Sequence, residues 1–241
     1  MSNYYITGDT HGDQILWDAS LGAFLKPADT IIVAGDFGMG FFDGRFWPEE
    51  TFLDYFEEQE YTILFCDGNH ENFDKLNGYP VSEWHGGRVH FVRKNVIHLM
   101  RGEVFEIDGK RVFVMGGGYS IDKPWRVPGR SWWPQEMPDD AEYKNAASNL
   151  KKAGFDVDYI LTHTAPRNTV EYMSRLSGDI RKQVDEELPL TGFLQWVADE
   201  TKYRKWYFGH FHIDAELWKD QYAVYHGIRE FHSGELVRMR V

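Results

Sequence analysis

Cysteine is nearly absent from this chain of 241 residues, because Cys66 is its single one. An internal disulfide is therefore impossible, and a reducing compartment is compatible with the sequence. The apolar segment YTILFCDG around Cys66 favours a small buried side chain over a reactive thiol.

Long apolar runs are missing as well. No stretch approaches the roughly 18 residues that a membrane span needs. The first residues, MSNYYITGD, are too polar for a signal peptide. We therefore expect a cytoplasmic protein with no membrane partner.

Basic residues are also fewer than acidic residues. The chain has 26 Lys and Arg residues against 38 Asp and Glu residues, a net charge of −12. This charge argues against nucleic acid as a partner, since broad binding to nucleic acid needs a basic surface. An anionic substrate remains compatible, because bound divalent cations can reverse the potential locally.

Internal repeats, low-complexity tracts and Gly/Ser-rich linkers are absent, so nothing marks a second domain. A chain of this length can bury roughly 70% of its unfolded surface in one core. Aromatic residues make up 16% of the chain and supply large core side chains. We expect residues 1–241 to form a single domain, with no obligate protein partner.

What the sequence does contain is a recurring pair, a short run that is apolar on consecutive residues followed by a polar tip. Runs of this kind are typical of strands in a sheet whose two faces are both covered. The pairs are NYYIT with GDTHGD, TIIVA with GDFG, YTILFCD with GNHE, DYILTH with TAP, and KWYF with GHFH. RVFVM, followed by GGGYS, is a similar strand without an acid or a histidine at its end.

Helices are predicted between several of these strands. They are residues 12–25, PEETFLDYFEEQ, PDDAEYKNAASNLKKAG, and a region from about 179 to 202 that is broken near Pro189. The DG pair in EVFEIDGKRVFVMGG predicts a hairpin, and WKDQYAVYHG and ELVRMRV predict further strands. The pattern indicates an α/β fold of two packed mixed β-sheets flanked by helices, with the polar tips gathered at one edge.

Each of the five tips carries a side chain that can bind a metal ion. Taken alone, each is more typical of a turn or of a hydrogen-bonded surface group. Together they supply the mixed oxygen and nitrogen donors that suit Mn, Fe or Zn. Seven donors exceed the need of one tetrahedral ion, so we expect two divalent ions. The donors are Asp9, His11, Asp36, Asn69, His163, His210 and His212.

In this order, the five tips resemble the motifs of the calcineurin-like metallophosphoesterase superfamily, and of its small bacterial and phage-type members in particular. The resemblance implies a four-layer αββα sandwich around a centre of two metal ions. It assigns Asp9, His11 and His212 to the first ion, Asn69, His163 and His210 to the second, and Asp36 to both.

The resemblance assigns a catalytic role to His70, the histidine of GNHE, beside the scissile phosphate. It implies hydrolysis of a phosphomonoester or phosphodiester of a small or nucleotide-like substrate, with a bridging hydroxide attacking phosphorus in line. Met39 and Gly40 stand where phosphoprotein phosphatases have the Asp that orients this histidine and an Arg that grips phosphate. A protein phosphatase is therefore disfavoured, and Asp43 is one candidate for orienting His70.

Residues 116–140 form a long segment without clear periodicity that follows RVFVM, and we expect it to contact the substrate. Its cations could bind an anionic group, and its tryptophans, Trp125 among them, could stack on a base. The alternative is that the tryptophans anchor the loop and the arginines pair with nearby acids. The substrate-binding candidates are Arg126, Arg130, Trp132 and Trp133.

Two other functions remain open at this level. The chain could be a scaffold that retains the fold for a protein partner, or a nuclease. Metal stoichiometry separates the scaffold from the enzyme, and incubation with oligonucleotides tests the nuclease. The remaining polar groups are expected to be structural: the acids of FEEQE and DEELP on solvated helix faces, and His85, His90, His98, His226 and His232.

Overall fold

The structure is a computed structural model, and it describes residues 2–40, 48–176 and 184–240. Its strands form two sheets. The strands are β1 (Tyr4–Thr7), β2 (Thr30–Ala34), β3 (Thr62–Cys66), β4 (Val81–Trp84), β5 (Gly87–Arg93), β6 (Val96–Leu99), β7 (Glu103–Ile107), β8 (Lys110–Met115), β9 (Tyr159–Thr162), β10 (Lys205–Phe208), β11 (Ala215–Leu217), β12 (Gln221–Ala223), β13 (Gly227–Glu230) and β14 (Leu236–Met239).

Both sheets are mixed, as predicted. The first has eight strands in the order β14-β13-β1-β2-β3-β6-β5-β4, and the second has six in the order β11-β12-β10-β9-β8-β7. In the first sheet β1, β2, β3 and β6 run parallel to one another, and in the second β8, β9, β10 and β12 do so. The outer strands of each sheet pair antiparallel.

The helices are α1 (Glu49–Glu57), α2 (Phe73–Leu76), α3 (Asp140–Lys152), α4 (Arg167–Leu176) and α5 (Leu188–Glu200), with a π-helix at Leu16–Gly22. The π-helix lies in the predicted segment 12–25, and α1 and α3 also lie where the sequence predicts them. Helix α3 begins with a capping box, in which the Asp139 side chain accepts from the Glu142 N–H and the Glu142 side chain accepts from the Asp139 N–H.

Three apolar clusters divide the molecule into layers. One lies between the sheets and includes Ile32, Leu64 and Leu161. A second covers the outer face of the first sheet, where the π-helix and α1 pack. The third covers the outer face of the second sheet beneath α3, α4 and α5. The predicted sandwich of two sheets between helical layers is therefore confirmed.

Some element predictions need correction. Pro189 lies in the first turn of α5, where it begins a helix instead of breaking one, because its missing N–H is not needed there. Residues 179–183 of that predicted helix lie outside the described residues. Helix α4 has only three buried side chains, and its polar sequence did not predict it. Strands β4 to β6 and β13 were not predicted individually either.

The predicted hairpin is present as β7 and β8. Asp108 and Gly109 have φ angles of 50° and 66°, which a tight two-residue hairpin turn requires. Among the described residues, none of the helices is both long and apolar enough to cross a lipid bilayer.

Candidate metal centre

The five polar tips meet at one edge of the sandwich, as the sequence predicts. The N–H of His11 donates to the carbonyl oxygen of Asp36 at 2.8 Å, which joins the tips of β1 and β2. The N–H of His70 donates to Asp36 Oδ1 at 2.8 Å, which adds the tip of β3. Across the sandwich, the N–H of His210 donates to both carboxylate oxygens of Asp9 at 3.0 Å. The two sheets therefore share one site.

The backbone at this edge is held in an uncommon conformation. Five of the predicted ligands have φ angles between 48° and 68°, in the left-handed region that residues with a Cβ rarely adopt. Each such residue costs about 1 kcal/mol or more. The turns direct the side chains of different strands toward one point. The five residues are Asp9, His11, Asp36, His210 and His212.

Two glycines allow the tips to approach one another. A Cβ on Gly68 would lie 2.0 Å from Asp36 Oδ1, and a Cβ on Gly209 would lie 2.3 Å from Asp9 Oδ2. Both distances are far below van der Waals contact. Only glycine therefore fits against these two buried carboxylates.

A first group of donors consists of Asp9, His11, Asp36 and His212, which offer ligand atoms that all lie within 4.8 Å of one another. His11 Nε2 lies 3.0 Å from His212 Nε2. Asp9 and Asp36 are each 2% exposed. Two like charges buried side by side are unfavourable without a cation between them. The group therefore fits a divalent metal ion.

A second group of donors surrounds His163. Its Nδ1 lies 3.0 Å from the carbonyl oxygen of Ala34, which can only accept, so Nδ1 carries the proton and Nε2 has a free lone pair. This Nε2 lies 3.1 Å from Asn69 Oδ1, 3.3 Å from Asp36 Oδ1 and 3.1 Å from His210 Nδ1. Lone pairs directed at one another in a buried place fit a second cation, with Asp36 between the two groups.

Neighbouring residues fix the orientation of these predicted ligands. Asn69 donates through Nδ2 to Ser120 Oγ at 3.0 Å, which leaves its Oδ1 facing the site. The ring of His212 stacks on Tyr225, with centroids 4.7 Å apart and planes 9° apart. Such outer contacts hold metal-binding side chains in place.

The charge state of Asp36 suits a shared ligand. Burial raises the pKa of this carboxyl, but the adjacent His163, His70 and His11 lower it more, so its pKa lies well below the usual range. Asp36 is therefore ionised at neutral pH.

His70 lies beside the two donor groups. Its Nδ1 is 3.2 Å from His11 Nδ1, and its Nε2 is 2.8 Å from Nη2 of the Arg126 guanidinium. Burial, followed by the positive charges near it, lowers the pKa of His70 to about 4 although Asp36 opposes this. Asp43, the residue considered for orienting His70, lies outside the described residues.

The long loop places its candidate substrate residues differently. Arg126 reaches the site, where it also contacts Asp122 at 2.7 Å and donates to the carbonyl oxygen of Ser131 at 2.9 Å. Arg130 is exposed on the turn that follows Val127.

Trp133 does not offer a stacking surface. It is 2% exposed, and its indole N–H donates to Asp74 Oδ2 at 2.8 Å, so it anchors the loop to α2. Trp132 is partly buried beneath Lys123, whose Nζ lies 4.7 Å from the ring centroid. The expectation that Trp133 stacks on a base is therefore corrected, because no face of its ring is accessible. Trp125, by contrast, is 84% exposed.

Sequence reasoning missed two buried acids at this site. Glu187 belongs to DEELP and was expected on a solvated helix face, but it is fully buried with Oε1 at 3.1 Å from His210 Nε2. Glu71 of GNHE is also fully buried, and its Oε2 accepts from the N–H groups of Gly38 and Met39 at 3.1 and 2.6 Å. Nothing in the sequence separates Glu187 from its exposed neighbour Glu186.

Comparison with family models gives a match over most of the chain. The family model described as calcineurin-like phosphoesterase matches residues 3–214 of the 241. No curated protein matches the chain.

Proposed function

The chain belongs to the calcineurin-like phosphoesterase family, and on that premise we propose that it hydrolyses phosphoric esters at a centre of two divalent ions. The observation that carries the proposal is the pair of donor groups that meet at Asp36. One holds two buried carboxylates and two imidazoles, and the other holds the lone pairs around His163 Nε2. A single tetrahedral ion would take four of the seven donors and leave three unused.

The donor chemistry fits Mn, Fe or Zn as the divalent ions. Bound there, the ions would supply activated water and neutralise charge on the phosphoryl oxygens. Asp36 would contact both. The remaining ligands would be Asp9, His11 and His212 for the first ion, and Asn69, His163 and His210 for the second.

Two side chains beside the ligands would act on the substrate. His70, whose Nδ1 lies 3.2 Å from His11 Nδ1, would stand next to the leaving oxygen. The guanidinium of Arg126 already reaches His70 Nε2. It would exchange this contact for a phosphoryl oxygen, because guanidinium groups form bidentate hydrogen bonds with phosphate. The chain would thus provide one imidazole and one cation for the phosphate.

The substrate we propose is a small or nucleotide-like phosphodiester or phosphomonoester. The loop that carries Arg126 also presents Trp125 to solvent, which offers an exposed ring for a planar leaving group. Cys66 is free and buried, and this fits a reducing compartment such as the cytoplasm.

A panel of monoesters, diesters and pyrophosphates, assayed with Mn²⁺, tests the proposal. We expect His70→Ala to lower kcat by about 10²-fold or more while the ions stay bound, since one positioned group that hydrogen-bonds or exchanges a proton with the transition state typically contributes about 10²-fold or more. Arg126→Ala should raise KM more than it lowers kcat. His85→Asn, at an exposed histidine on the β4–β5 turn, is the matched control and should behave as wild type.

Two results would contradict the proposal. Hydrolysis of no ester by the metal-loaded protein would favour the scaffold, and equal turnover in His70→Ala and wild type would remove His70 from the reaction. Cleavage of oligonucleotides alone, without activity on any small ester, would identify a nuclease instead.

A further inference from the structure

We propose that Glu187 is a positioning residue for His210 and thereby sets the affinity of the second ion. The inference rests on the proposed function, since it concerns one of the ions that the site would hold. It assigns a role to a side chain that none of the five sequence motifs contains.

The geometry around His210 places different groups at its two ring nitrogens. Nδ1 lies 3.1 Å from His163 Nε2, within the second group of donors. Nε2 lies 3.1 Å from Glu187 Oε1. The imidazole is 5% exposed and Glu187 is fully buried, so this contact is shielded from water. One nitrogen therefore faces the ion site and the other faces a carboxylate.

A carboxylate beside one ring nitrogen favours the tautomer that carries a proton on that nitrogen. For His210 this places the proton on Nε2 and leaves the lone pair of Nδ1 for the ion. The negative charge also makes the imidazole a stronger ligand. The buried acid in turn gains a polar partner for a charge that would otherwise be costly to bury.

The backbone holds Glu187 in this position. The residue ends a short 3₁₀ turn, Asp185–Glu187, that leads directly into α5. Its carbonyl oxygen accepts from Thr191 Oγ1 at 3.3 Å. Its carboxylate accepts from the N–H of Tyr119 at 3.2 Å, on the same Oε1 that faces His210.

Tyr119 and its neighbour connect two ligands of the second ion. The N–H of Tyr119 contacts Glu187, and Ser120 Oγ accepts from Asn69. The segment after β8 therefore supports both Asn69 and, through Glu187, His210. His212, a proposed ligand of the first ion, differs from His210 in this respect. Within the described part of the chain, its ion-pair partner is Asp9, which is itself a proposed ligand. Loss of Glu187 should therefore affect the two ions unequally.

Calorimetric titration of chelator-treated protein with Zn²⁺ or Mn²⁺ tests the inference without any assay of activity. We expect Glu187→Ala to lower the affinity for the second ion by about 10–100-fold, the usual effect of removing a hydrogen-bond partner of a metal-binding histidine. The affinity for the first ion should not change. Glu187→Gln keeps an oxygen that can accept from Nε2–H and should fall between Ala and wild type. Glu186→Ala, at the exposed neighbouring acid, is the matched control and should bind both ions as wild type does.

The outcomes separate this inference from the proposed function. Two ions bound with wild-type affinity by Glu187→Ala would overturn the role of Glu187, and so would an equal loss in Glu186→Ala. Wild type that binds neither ion would contradict the proposed function, and the inference with it. If Glu187→Ala does not fold, Glu187→Gln decides: weaker binding of the second ion alone supports the role, and unchanged binding overturns it.

Discussion

Two buried acids, Glu71 and Glu187, contact the candidate metal centre from outside the two donor groups. Glu71, the last residue of GNHE, contacts the backbone beside Met39, the residue that stands where phosphoprotein phosphatases have an Asp. Its carboxyl group binds the N–H groups of Gly38 and Met39 and so fixes the turn that follows Asp36. Burial and the nearby Asp36 raise the pKa of Glu71 well above its usual range, which favours the protonated carboxyl.

Glu71→Ala should lower the free energy of unfolding by about 3 kcal/mol, because two N–H groups lose their buried acceptor. Glu71→Gln keeps an acceptor oxygen in a side chain of similar shape and should lower the free energy of unfolding by about 1 kcal/mol. Urea unfolding of the metal-free proteins measures both. Equal losses in the two variants would show that the carboxyl oxygen does not hold the turn.

At the scale of elements, the loop between β8 and α3 combines fixed and exposed parts. Trp133 anchors it through Asp74, and Lys123 contacts the buried Glu136 at 2.6 Å. Between these anchors, Arg126 reaches His70 and Trp125 faces solvent. The anchors allow a loop without regular structure to hold one cation at a defined place.

The two tryptophans give a matched pair of substitutions. Trp133→Ala should lower the free energy of unfolding by about 3–5 kcal/mol, the range for deleting a buried aromatic side chain. Trp125→Ala should change it by less than about 0.5 kcal/mol, since the ring is exposed. Urea unfolding compares them, and a similar loss in both would contradict the anchoring role of Trp133.

The sequence predicts the elements that carry the ligands better than those that support them. Strands β1, β2, β3, β9 and β10 are apolar on consecutive residues because both their faces are buried, and this signal is local. Strand β4 is only partly buried, so VSEW gives a weak signal. The contacts of Glu71 and Glu187 join residues far apart in the chain, and residue type alone does not reveal them.

At the scale of the whole molecule, the site forms only where the two sheets meet. Of the proposed ligands, Asp9, His11, Asp36 and Asn69 follow strands of the first sheet, and the others follow strands of the second. The packing of the sheets around their shared core therefore sets the distances between ligands. Ion binding in turn should stabilise that packing, because the unfolded chain has no preformed site.

Acid should weaken the fold through a histidine remote from the ligands. Burial, followed by His98, lowers the pKa of His90 to about 4 although Asp67 opposes this. Between about pH 6.5 and pH 4, His90 is protonated in the unfolded chain but neutral in the folded protein. The free energy of unfolding therefore decreases as the pH falls through this range. The loss amounts to as much as about 3 kcal/mol at this one position.

His90→Asn removes the titrating ring while keeping an N–H donor. Urea unfolding of metal-free protein at pH 7 and pH 4.5 should show a smaller acid-induced loss in this variant than in wild type, by about 2 kcal/mol. His85→Asn, at an exposed histidine, should retain the wild-type loss. If His90→Asn loses as much unfolding free energy in acid as wild type does, protonation of His90 is not the cause of the loss.

Hydrolysis at a centre of two ions predicts a defined relation between bound metal and turnover, which one titration measures. Chelator-treated protein is titrated with Mn²⁺ while bound ions per chain and hydrolysis of bis(p-nitrophenyl) phosphate are followed together. We expect two ions per chain at saturation, with turnover rising as the second ion binds. Saturation at one ion, or full turnover before the second ion binds, would contradict hydrolysis at a centre of two ions.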